Sequence, residues 1–167
     1  MKLFRIIIWT GFLLITVVFW YSGRLFSEAG VPGIVSFEFA DAEKGKAIFV
    51  AWQQTGLLSL VCNMISWDFL YIFFYVALII TLSNHQVRKE PSIAVNALLR
   101  SSFFFAIIAG SLDIVENLFL LYNIHHWNDT SYISSFWIAW AKFIAAGWAV
   151  VIWLFSLVKS LVTKIKI

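Results

Sequence analysis

The chain has 167 residues, of which 62% are hydrophobic, 19% aromatic and only 13% charged. Soluble domains are nearer half apolar and a quarter charged, so a globule coated by water is excluded, as is a separate soluble catalytic domain at this length. The formal charge of +3 does not indicate nucleic acid, because the basic residues sit at the ends of apolar blocks rather than on one face.

Taken in order, the first block is Ile6 to Trp20, preceded by Lys2 and Arg5. It imitates a secretory signal, but it is long for one, and the exit Trp20-Tyr21-Ser22-Gly23 lacks a small-x-small cleavage site. The reading is a retained first span over residues 4–21, closed by an interfacial Trp20-Tyr21 pair. The connection over 22–56 opens with the turn-prone Gly30-Val31-Pro32-Gly33 and continues as a short apolar stretch, Ile34 to Ala40, with Glu38 embedded in it. Asp41 is then a good N-cap for an amphipathic helix over 42–54, with Glu43 favourably placed in its first turn. Ile48, Trp52 and Thr55 share one face of that helix. The preferred reading is a connector held at the membrane interface by Trp52, and the second reading is a lid over the bundle.

Three further spans follow, over 57–82 with Asp68, over 93–122 with Asp113, Glu116 and Asn117, and over 132–158 with Lys142. Each is long enough to cross lipid with tilt or projection. The fold expected is an all-α, four-transmembrane-helix bundle forming a single membrane-embedded domain over 1–167. Lys2, Arg5, Arg88, Lys89, Arg100, Lys159, Lys164 and Lys166 fall on one side, which the positive-inside rule makes cytoplasmic. Both termini are therefore expected inside, in the plasma (cytoplasmic) membrane, with the first and third connections outside. Cys62, the single cysteine, has no partner for a disulfide and reads as a small apolar residue.

The informative residues are the charges within the spans. A charge at a helix centre costs about 2.5–3.5 kcal/mol on the insertion scale, so such groups are normally turned inward, paired and functional. Counted from the outer helix ends, Asp68, Asp113, Glu116 and Lys142 all lie roughly 9–17 Å deep, in the same half of the membrane. Asp113, Glu116 and Asn117 are spaced i, i+3, i+4 and project from one side. Ala106, Ala109 and Gly110 continue that side, and Ser135, Ala139, Ala146 and Ala149 flank Lys142; small residues admit a close neighbour. Asp68 shares its stripe with Met64, Tyr71 and Tyr75.

Three acids against one lysine leave an uncompensated charge that low dielectric does not tolerate. Protonated carboxyls, a bound cation or cationic ligand, or water entering from the outer side with Glu38 or the His125-His126 pair at the rim would each resolve it. The function expected is binding or modification of a lipid or amphiphilic small molecule in an acid-rich pocket. One alternative is proton- or cation-coupled transport or sensing, which at this size would call for a homo-oligomer. Another is a structural subunit of a membrane complex whose charges fix helix pairing. Membrane lipid and a lipid-like or cationic ligand are the expected partners. No metal is expected, because no histidine or cysteine shares the depth of the acids. The sequence points to no cofactor.

Overall fold

The computed structural model describes residues 2–165, with side chains through residue 162; Lys164 and Lys166 therefore lie outside the described side chains. The elements in order are α1 Lys2–Glu28, α2 Ile34–Glu38, α3 Ala42–Gln54, α4 Leu58–Val87, α5 Ile93–His125 and α6 Asp129–Ile165. Four of them, α1, α4, α5 and α6, are long and apolar enough to cross a membrane. A helix satisfies every backbone hydrogen bond within itself, which is what a hydrocarbon environment demands. The chain is thus an all-α bundle of four membrane-type helices, and fits an integral membrane protein.

The helices outrun the apolar blocks that announce them, because backbone pairing persists past the hydrophobic run until a cap stops it. The first ends at Glu28 rather than near Tyr21. It is stopped by Gly30, whose φ of 69° is open to glycine at no steric cost. Val31 N–H donates to the Phe26 carbonyl and Gly30 N–H to that of Ser27, the paired bonds of a Schellman ending. The same motif recurs at Gly56, φ 71°, where α3 passes into α4. The start of α3 is as anticipated: the Asp41 side chain accepts from the Lys44 N–H at 2.9 Å.

Around the bundle the packing order is α1, α4, α5, α6, with α5 the central element. Small residues set the spacing. Ala106 and Ala109 are fully buried, and a Cβ on Gly110 would come within 2.7 Å of Val76 Cγ2, so α4 side chains pack directly on the α5 backbone there. Gly11 gives α1 the same intimacy with α4, beneath the Phe74 ring. By contrast, α1 makes no extensive contact with α6. A seam is left between those two helices, and the candidate site lies along it.

The long first connection folds onto one end of the bundle and builds a compact core of its own. Phe26, Phe37, Trp52 and Tyr132 are all essentially inaccessible, with the Phe37 ring 4.7 Å from Trp52 and 5.0 Å from Tyr132. Burying each such ring is worth about 1.5–3 kcal/mol. The Tyr132 hydroxyl donates to the Phe37 carbonyl at 2.5 Å, with the Ala40 carbonyl at 3.1 Å. Trp52 is therefore not an interfacial anchor, as the sequence suggests. It is 0% exposed, and its indole N–H donates to the Pro32 carbonyl at 2.7 Å. Of its expected face-mates Ile48 is buried, whereas Thr55 is exposed.

Candidate functional site

The Ile34–Ala40 stretch, read as merely short and apolar, contains the five-residue helix α2. Its anchorage by Tyr132 and Trp52 turns Glu38 inward rather than leaving it at a rim. Glu38 is 8% exposed, with Oε2 3.5 Å from Lys142 Nζ. Burial pushes its carboxyl up to about 7 in spite of the opposing pull of Lys142.

Lys142 is the hub. From α6 its Nζ donates to Asp113 Oδ1 at 2.7 Å and touches Glu116 Oε2, both on α5, besides meeting Glu38 from the connection. An ammonium has three protons, and three carboxyl groups surround this one. Asp113 uses its second oxygen as well, accepting from the Tyr75 hydroxyl of α4 at 3.1 Å. Glu116 is fully buried, and its Oε1 has no hydrogen-bond partner among the described residues. Beside this group the Asn117 amide donates to Asp68 Oδ2 at 2.7 Å, joining α5 to α4.

The five principal candidates read from the sequence, Asp68, Asp113, Glu116, Asn117 and Lys142, thus come together, with Tyr75 and Glu38 in direct contact with them. Tyr71 lies one turn from Asp68 and accepts a long hydrogen bond of 3.4 Å from Thr16 on α1. Trp52 supports at a distance, by holding the connection. His125 is exposed at the end of α5 and joins none of these contacts. Asn123, two residues earlier, is the buried polar residue there, and its side-chain oxygen accepts from Ser131 and from the Asn128 N–H to set the α5–α6 turn. Among the described residues no group of three or more His, Cys, Asp or Glu side chains is arranged to hold a metal ion.

Most of these groups border a cavity of about 600 Å³. Glu38, Asp68, Tyr71, Tyr75, Asp113, Asn117 and Lys142 line it near the connection. Further along, its walls are Leu78, Ile79 and Leu82 of α4 with Ala146, Val150 and Trp153 of α6. From Met64 to Leu82 it follows about 27 Å of α4. Phe12 and Phe19 close the α1 side, and Gly33 to Ser36 close the end. Glu116 stays behind Lys142 and does not line the space. The cavity therefore has an acid-rich stretch in its connection-side half and an apolar stretch running on to Leu82 and Trp153.

Sequence reasoning missed the α1 wall. Phe12, Phe19 and Phe26 recur every seventh residue, and that period was the available signal for an inward aromatic stripe. It also missed a second set of buried polar groups at the end of the bundle that carries the termini, where Ser83, Gln86, Ser102 and Ser156 are buried and Lys159 pairs with Glu90 at 2.5 Å. Comparison with protein-family models, curated proteins and solved structures found no match, so the functional reading rests on this geometry.

Proposed function

We propose that the protein binds a lipid or amphiphilic small molecule in this cavity, head group at the acid-rich stretch and chain along the apolar body. The observation that carries the reading is the cavity's two-part lining. Charges used only to fix helix register would be sealed against one another. Here Asp68, Asp113 and Lys142 are paired and still border open space. Volumes of this size suit an organic ligand rather than an ion. The seam between α1 and α6 gives such a ligand a sideways route from the bilayer. In the orientation expected from the basic residues, the head group would lie in the outer half of the membrane with the chain pointing inward.

Native mass spectrometry of the protein purified in a mild maltoside tests this. The wild type is expected to carry an adduct of defined mass, and Ala146→Phe, which fills the apolar body, is expected to lose it. A wild type without adducts that also fails to take up any added single-chain amphiphile would overturn the proposal.

A further inference from the structure

The acid-rich stretch of the cavity is unevenly provided for, and the unevenness selects a head group. Lys142 is hydrogen-bonded to Asp113 and ion-paired with Glu38 and Glu116, so its charge is already compensated before a ligand arrives. Asp68 is the opposite case: among the described residues its carboxyl has the Asn117 amide on Oδ2 and no partner on Oδ1, and it borders the cavity. An incoming group therefore meets an acceptor without a cation.

A second, independent feature surrounds the same place. Tyr71 lies one turn below Asp68 on the same face of α4. Phe12 stacks on it with centroids 5.2 Å apart, Phe19 meets it edge-on at 5.3 Å, and Tyr75 is 5.8 Å away. All four rings line the cavity. Aromatic rings beside a carboxylate form a wall suited to an alkylammonium, whose spread charge is attracted to π faces and whose methyl groups accept apolar contact. A carboxylate or phosphate head would instead meet acids on every side, with the one lysine already committed.

We infer that the ligand is an ammonium-headed amphiphile, its cation held between Asp68 and the Phe12, Phe19, Tyr71 and Tyr75 rings, with its chain along Leu78 and Ala146. The inference rests on the proposed amphiphile site and adds the chemistry of its head group.

The test compares three probes of equal chain length, n-dodecyltrimethylammonium, 1-dodecanol and dodecanoate, by calorimetric titration of the full chain in maltoside micelles, with empty micelles as the blank. The ammonium is expected to bind about tenfold more tightly than either other probe, the scale of a desolvated cation–π contact. Asp68→Asn is expected to bring the ammonium-to-alcohol ratio close to one, and Tyr71→Leu to reduce it by several-fold. Saturable binding of dodecanol or dodecanoate as tight as that of the ammonium in the wild type would overturn the ammonium inference and leave the amphiphile site standing. Absence of saturable binding by all three would overturn both. The wild-type ratio decides the matter even where a variant fails to fold.

Discussion

The two ends of this bundle each bury a lysine–carboxyl contact, and the contrast between them separates architecture from site. At the end bearing the first connection, Lys142 is 8% exposed, gathers carboxyl groups from two elements besides its own and borders a cavity. At the end bearing the termini, Lys159 is 37% exposed and pairs with Glu90 in the α4–α5 turn, away from the cavity. The second arrangement ties a turn to a helix end and is what snorkelling lysines commonly do. The first draws more acid into the interior than pairing needs. A fold that wanted only register would stop at one acid and one base.

The largest effect should come from removing the hub. Lys142→Met leaves three buried carboxyl groups without their cation and should cost about 3–5 kcal/mol, read as a steep fall in thermal midpoint in detergent. A loss below 1 kcal/mol would erase the distinction between the two ends. Next, Gly110→Val forces a side chain into Val76 where α5 meets α4 and should cost about 1–3 kcal/mol by the same assay. Tyr132→Phe removes the hydroxyl that holds Phe37 and Ala40, for about 1–2 kcal/mol, and should raise protease access to the connection.

The two ends should also answer pH with opposite signs. Glu38 is raised from the ordinary 4.5 to about 7 by burial, so it favours the folded state fully below pH 4.5, and that contribution is lost as pH rises through about 7. Glu90 is held below its ordinary value by the hydrogen bond from Lys159, so its contribution is present above pH 4.5 and is lost as pH falls below it. Thermal midpoints between pH 4 and 8 should therefore show a falling component that Glu38→Gln abolishes and a rising one, at the acid end, that Glu90→Gln abolishes. A Glu38→Gln variant that keeps the wild-type profile would contradict the inward placement of that residue. Smallest of all, Lys159→Met should change stability by about 1 kcal/mol or less, as expected of a partly solvated pair.

Much of this was legible in the residues. Hydropathy announced four helices, because a span must be long and apolar whatever its neighbours are. The i, i+3, i+4 spacing of Asp113, Glu116 and Asn117 and the common depth of Asp68 and Lys142 brought the cluster together, since helical periodicity fixes direction and rise. What stayed hidden depended on contacts distant in the chain. Glu38 looked like a rim residue because nothing local says that Tyr132, far along the chain, would pull α2 into the bundle. Trp52 looked interfacial because an indole in an amphipathic helix is usually at the lipid boundary, and only the fold of the connection supplies the Pro32 carbonyl. The seam beside α1 reflects an absent packing partner, which periodicity does not encode.

The central claim is that the apolar body of the cavity holds a chain, and site-mapped photolabelling tests it most directly. A dodecyl amphiphile with a diazirine near its chain end, incubated with the protein and irradiated, should label Leu78, Ile79 and Trp153 inside the cavity. Labelling there should exceed labelling of the outward-facing Phe104, Ile107 and Ile144 and should disappear in Ala146→Phe. Label spread over Phe104, Ile107 and Ile144 with no enrichment in the cavity would contradict the account.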